Sequence, residues 1–538
     1  MINQYDEIEA PVSLSLVPYT GSWTKAHAAH LLRRTMFGPT FQQIQQASAN
    51  GMEATVNQLL TLPALAPPLA HNANDGVVPE GSTWVQSVYP ASNPAVTENT
   101  RRESLAAWAM ERINREPFSI REKMCLFWQN HFAAEFTFDS RATYNYLELL
   151  RTHALGNFKQ LVKDITVDPC MLVFLNGASN NFYSPNENYA RELLELYSIG
   201  KGVQTGPGDY STYKEQDVLE GSKILTGWTI NGFNSATEAN TSAVFYPILH
   251  DTSVKTLSSH FGNATVADAG DQEYANYIDI IFQQPALATF ICRKIYRWFV
   301  NYDLTQTVED TVVAELAQTF ISNDFEILPV VEQLLKSDHF YDVALRGTII
   351  KNPIEFMFSI FNATHSAPAY TLGVNYQLYL NTYYLCDTIG MGYLKPPSVG
   401  GWTAYYQAPS FSRLWANSSY IKLRFDFSSW VTLWGGIDVG GNKLGVNHLA
   451  FLNGLSVPSS APDVIDDMIT VFCPKGLNVA KRTILKAILT NGLPDFEWTI
   501  QYNEYLADPT NITFYDPVRI RVALTLDKLF KMPEFQTI

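Results

Sequence analysis

Along most of the chain apolar residues recur every three to four positions, the spacing of a helix with one buried side. The pattern predicts helices over 24–37, where Gly38-Pro39 stops the first, then 40–50 and 52–60. Others follow over 97–115, 119–132, 140–154 and 157–167. Between 229 and 270 the periodicity gives way to Asn, Gly, Thr and Ser with strand-like pieces such as Val244-Phe245-Tyr246, read as a long polar loop or small β-hairpin excursion. Helical spacing returns over 271–302, 307–322, 325–336, 345–363 and 370–391, and again over 410–425, 464–473, 480–489 and 517–531. The fold class is mainly α, a multi-helix, bundle-like globular fold. Its expected divisions are 1–228, the excursion 229–270, a second helical region 271–425 and a C-terminal helical region 426–538.

The densest polar patterning lies between Ser184 and Trp228. Ser184, with Pro185 next and Glu187 three residues on, has the form of a capping box opening a helix. On that helix Tyr189, Ala190, Leu193, Leu194, Leu196 and Tyr197 fill one side, and Glu187, Asn188, Arg191, Glu192 and Glu195 the other. A second helix, expected to be capped at Thr212, carries Glu215, Asp217, Glu220 and Lys223.

Composition narrows the classes. Of 538 residues 46% are hydrophobic and 13% aromatic, while 17% are charged against a usual quarter or so, enough apolar side chain for a large core. A net charge of −15 without basic clusters argues against nucleic acid as a partner. The five scattered cysteines read as buried thiols rather than a disulfide framework. Residues 1–10 lack the basic and apolar regions of a secretory leader, which makes the cytoplasm the default compartment and export the alternative. No apolar run is long enough to span a bilayer.

Candidate chemistry centres on His131. With Ile120, Met124, Phe127 and Trp128 it falls on the apolar side of its helix, as a satisfied core histidine would or as a general base held in a pocket. Glu192 and Glu195 lie about one turn apart, as do Asp217 and Glu220. Paired carboxylates can share a proton or hold a divalent metal, while Glu187, Arg191 and Glu195 at four-residue spacing also make an ordinary solvated face. The Glu-x-x-His pairing of a di-iron bundle is missing. His27 and His30, three apart, permit shared ligation, and His250-Asp251 with His260 could form a lid over a pocket. Trp228 and Trp402, each beside glycine, suit stacking on a sugar or another flat ligand. Nucleophile elbow, H-E-x-x-H, phosphate-loop and dinucleotide motifs are all absent.

Six ordered stretches resemble the bacterial domain-of-unknown-function family DUF1800. They are His30–Arg34 with Phe37-Gly38-Pro39; Arg121–Met124 leading to Phe127–Phe132; Pro185–Leu193; Gln216–Val218 with Leu225–Trp228; Lys351–Glu355; and Pro396–Trp402. The resemblance covers roughly 26–425. It implies a polar pocket built from His131, Asn186, Glu187, Arg191, Glu192, Asp217 and Trp228, and a companion of alkaline-phosphatase-like type encoded nearby. The expectation is a hydrolytic enzyme with a carboxylate–histidine pocket, with or without the help of a divalent metal. His131 or Glu192 would be the base, Arg191 the anion-binding or orienting group, and Glu195 and Asp217 the metal-holding or supporting groups. Asn186, Glu187, Trp228 and Trp402 would contact substrate. The alternative is a non-catalytic helical scaffold that binds a partner protein or a glycan.

Overall fold

Caps and prolines set where the helices begin. Asn352 Oδ1 accepts the Glu355 N–H at 2.8 Å, and Glu355 returns a carboxylate oxygen to the Asn352 N–H at 2.9 Å. The helix therefore starts at Pro353 and runs Pro353–Ala363, not from 345 as spacing alone predicts. Pro285 likewise divides the stretch 271–302 into helices Glu273–Ile281 and Pro285–Phe299, because proline brings no N–H to an ongoing ladder but fits a first turn. At the C-terminal end the correction runs the other way. Asn511 caps a helix Ile512–Phe530 and Pro517 lies inside it, still near its start.

The computed structural model describes residues 12–538, so the reading of 1–10 lies outside the described residues. The architecture is mainly α. The long helix Pro94–Asn114 packs along Leu372–Thr388, and Ser418–Leu433 along Ile512–Phe530. One contiguous hydrophobic core draws on residues from Leu16 to Phe535, with Trp84, Trp108, Trp128 and Trp498 fully enclosed. All five cysteines are buried and free. Among the described residues no helix is long and apolar enough to cross a membrane.

Strands occur as two-stranded antiparallel hairpins. The excursion holds two of them: Trp228–Asn231 with Ser242–Phe245, Trp228 opposite Phe245, and Lys255–Thr256 with Thr265–Val266. The turn into the first needs Gly227 at φ +95°, where a Cβ would stand 2.9 Å from the Phe245 ring.

Buried ionic and polar groups stitch distant segments together. His30 Nε2 meets the Phe340 carbonyl at 3.0 Å, Arg34 donates to Leu345 O at 2.7 Å, and Lys123 pairs with Glu355. The first and fifth of the stretches that carry the family resemblance thus serve the core.

Candidate functional site

The site grows from three helix faces and a loop. Ser119 Oγ accepts the Arg121 N–H at 3.1 Å and starts the helix Arg121–His131, while Glu122 pairs with Arg151 at 2.9 Å instead of closing a capping box. At the helix end Asn130 Oδ1 accepts the Trp402 N–H at 2.9 Å. That bond docks the Pro396–Trp402 stretch across the helix end. Gly401, at φ +80°, permits the approach, since a Cβ there would lie 2.4 Å from Asn130 O.

The second face corrects the expected helix start. Asn181 Oδ1 holds the N–H groups of Tyr183 and Ser184 in a turn, and Asn186 accepts the Asn188 N–H at 2.9 Å. The helix consequently begins at Asn188, runs Asn188–Glu192 and continues as a π turn, Leu193–Ser198. π turns are rare and gather at functional sites. The last carbonyls of any helix lack partners in the helix, and here the Leu196 and Tyr197 carbonyls are met by side chains from other elements.

Those side chains are Lys294 and His131. Lys294 Nζ, from Pro285–Phe299, lies 2.9 Å from Leu196 O and 3.0 Å from His131 Nδ1, with the Phe290 ring 4.6 Å away. His131 Nε2 lies 3.1 Å from Tyr197 O. A carbonyl only accepts, so Nε2 carries the ring proton and Nδ1 is the bare acceptor for Lys294.

Phe127, Asn130, His131, Glu192, Glu195 and Lys294 line one cavity of about 470 Å³. Arg293, Arg297, Trp298 and Tyr405 line it too, as does the 398–400 loop. The volume suits a small organic molecule. Burial, and then the charge of Arg297, lowers the Lys294 ammonium to about 7. Burial and then Lys294 hold the His131 imidazole well below its usual range. Burial, with Glu195 beside it, raises Glu192, whose carboxyl has no hydrogen-bond or ion-pair partner among the described residues. Glu195 is engaged by the Tyr213 hydroxyl and by Lys201 at 3.1 Å. Arg293 forks onto Glu309 at 2.6 and 3.0 Å. Arg297 has no carboxylate partner among the described residues, and its buried Nε finds no protein acceptor.

The remaining expected site residues lie outside this lining. Arg191 is held by Glu215 at 2.8 Å and Glu187 at 2.9 Å, and the Asn186 N–H is bonded to Asn180 Oδ1 at 2.8 Å. Asp217 is fully buried. It accepts the Lys214 N–H at 2.7 Å and thereby caps the helix Glu215–Ile224, which begins past the expected Thr212, and it also accepts the Ser258 N–H at 2.6 Å. Trp228 packs on Phe245 and Tyr274, facing a separate hollow, and Trp402 is buried behind the loop.

Among the described residues of the lining, both His131 nitrogens and Glu195 are already bonded, which leaves the Glu192 carboxylate as the unengaged donor. Elsewhere His250, Asp268 and Glu273 converge, but Lys255 Nζ sits 2.5 Å from Glu273 and supplies the cation. His250 is bonded to Glu273 at 2.9 Å and to the Thr226 carbonyl, within the fold rather than over the pocket. His27 and His30 bond separate partners, Thr24 and Phe340.

A family model described as "Protein of unknown function (DUF1800)" matches residues 30–537. The chain belongs to the DUF1800 family. No curated protein and no solved structure matches it. Three of the stretches that carry the DUF1800 resemblance, those holding Asn130-His131, Glu192 and Ser398–Gly400, meet at this one cavity. The basic wall was the part missed. Its signal was present: Arg293, Lys294 and Arg297 stand close together on a helix otherwise packed into the core, an unusual place for cations.

Proposed function

We propose that the cavity is the active site of an enzyme acting on a small anionic organic molecule by acid–base chemistry, with Glu192 as the proton-transfer group. The observation that carries this reading is the meeting of three groups on one cavity of about 470 Å³: a guanidinium and a half-buried carboxyl, neither with an ionic partner among the described residues, and a lysine amine lowered to about 7. Arg297 binds the anionic group. Glu192, raised above the usual carboxylate range by burial and by Glu195 beside it, is the group placed to give and take a proton, as in the activation of water for hydrolysis. His131, with its Nδ1 and Nε2 both occupied, positions Lys294 rather than acting as the base.

Calorimetric titration with small aliphatic and aromatic carboxylates tests the reading. Arg297→Met is expected to weaken binding about tenfold, ~1.4 kcal/mol, while Glu192→Gln retains the anion. Carboxylates that bind equally to wild type and Arg297→Met, or to neither, would defeat it.

A second reading, a scaffold for a partner such as the alkaline-phosphatase-like companion, is favoured by a specific surface. Phe182, Tyr183, Tyr246 and Ile248 are exposed, and the Phe182 N–H bond to Leu249 O brings their two segments together. Mixing the two purified proteins tests it. A stable stoichiometric complex that Tyr183→Ser with Ile248→Ser abolishes supports the scaffold, and no complex removes it.

A further inference from the structure

The Lys294 amine has a geometry that acid–base chemistry alone does not require. Its two protein partners, Leu196 O and His131 Nδ1, are both acceptors, and both are held rigidly. The first is a helix-terminal carbonyl, and the second is fixed by the opposite ring nitrogen on Tyr197 O. A neutral amine has two hydrogens, and these two acceptors take both. The remaining tetrahedral position on Nζ holds the lone pair. Among the described residues no carboxylate lies within ion-pair distance of Nζ, so nothing in the protein demands that the nitrogen keep its charge, and burial removes it near neutral pH. A desolvated lysine of this kind is the form in which the side chain acts as a nucleophile.

Resting on the active-site reading above, we propose that Lys294 forms an imine with the carbonyl carbon of an oxo acid, a small aldehyde or ketone that carries an anionic group. Arg297 stands three residues further along the same helix and lines the same cavity, so it can hold the anion while the carbonyl meets Nζ. The aromatic walls, Phe127, Phe290, Trp298 and Tyr405, accommodate the rest of the molecule.

In the first step the Nζ lone pair forms a C–N bond, the carbonyl π pair moves to oxygen, and that oxygen takes the proton of Glu192 in its acid form. The nitrogen then gives a proton back to the Glu192 carboxylate, which passes one to the hydroxyl. Water leaves as the nitrogen lone pair closes the C=N bond, and the iminium N–H returns its proton to the Glu192 carboxylate, which is restored to its acid form. Amine and carbonyl give imine and one water, with no change of oxidation state and no co-reactant. Glu192 lines the same cavity and is the group suited to both proton transfers.

The test is reductive trapping on the full chain. Wild type is incubated with glyoxylate and, separately, para-carboxybenzaldehyde, reduced with borohydride and mapped by peptide mass spectrometry. Lys294 is expected to carry the secondary-amine adduct about tenfold or more above any other lysine, and trapping should rise as pH passes through about 7. Arg297→Met should lower the yield at Lys294 about tenfold at limiting acid, and Glu192→Gln should slow its appearance. Lys294→Arg and Lys294→Met should each lose the adduct while melting cooperatively, two variants guarding against a fold defect in one. Calorimetry of the same acids on the unreduced protein separates the failures. Acid bound in the cavity with no Lys294 adduct, or with all lysines labelled alike, overturns the imine and leaves the binding reading standing. Acid that fails to bind at all overturns both.

Discussion

Lys294 Nζ and His131 Nδ1 are 3.0 Å apart, and the ring's other nitrogen is spent on Tyr197 O, so the pair fixes the tautomer of one residue and the orientation of the other. Nitrogen-edge NMR is therefore expected to show His131 as the Nε2–H tautomer, still unprotonated at pH 6.5, where an exposed imidazole is half charged. The sign for stability follows. Below pH 6.5 the unfolded chain takes up the proton that the folded ring refuses, so this residue's contribution to stability falls as the solution is acidified. A ring that titrates at its ordinary value would show that the histidine is not enclosed as described.

Lys294 gives the opposite end of the scale. Its folded ammonium is lowered to about 7 from 10.5, so between those values the unfolded chain holds a proton that the folded chain has released. Stability should therefore rise with pH across that window, and the rise should be missing in Lys294→Met. Melting temperatures of the two proteins measured side by side against pH check this. Parallel curves would mean an ordinary, solvated lysine.

What the sequence made legible was local and periodic. Helical spacing, the stop of the first helix before Gly38-Pro39 and the loss of periodicity after Trp228 all describe elements that the structure contains. His131, Glu192 and Glu195 were legible as candidates because each breaks or edges an apolar face. That they face one cavity depends on the π turn, which no spacing rule announces, and on Pro285–Phe299, whose Lys294 reaches Leu196 across 98 residues of sequence and His131 across 163. Asp217 is ambiguous in sequence for a physical reason. A carboxylate three residues into a helix looks alike in sequence whether it caps the helix start, as it does here, or faces a ligand.

That difference can be measured. Asp217→Ala removes a helix cap and leaves the half-buried Lys214 N–H and the buried Ser258 N–H without acceptors, so it should cost about 2–4 kcal/mol of unfolding free energy. Glu192→Gln, at a half-buried carboxyl without partners among the described residues, should stay within about 0.5 kcal/mol of wild type. Urea unfolding of both variants decides it. Equal losses would mean that Glu192 is as structural as Asp217.

Gly401 tests the join between the loop and the histidine helix. Alanine there is strained at φ +80° and overlaps Asn130 O, which accepts no such contact without moving. Gly401→Ala is expected to cost about 1–3 kcal/mol and to weaken binding of any cavity ligand, since the 398–400 segment forms part of the lining. Asn130→Ala, which removes the acceptor for the Trp402 N–H, should weaken the ligand in the same direction. A Gly401→Ala protein with wild-type stability would show that the loop docks elsewhere.

The buried pair of Lys123 and Glu355 makes a sharper prediction because its halves are unequal. Glu355 lies among the cations Arg34, Lys351 and Arg424 as well as Lys123, and each of these feels its charge. Removing Lys123 leaves the carboxylate near other cations, whereas removing the carboxylate leaves several buried cations near one another. Glutamine at 355 keeps the capping-box bond to the Asn352 N–H, so the cap is not what changes. Glu355→Gln should therefore cost about 3–5 kcal/mol and Lys123→Met only about 1–3 kcal/mol. Combining them should recover part of the larger loss, because one of the stranded cations has gone. A reversed order would place the dominant partner of Glu355 at Lys123 alone and contradict the shared cluster.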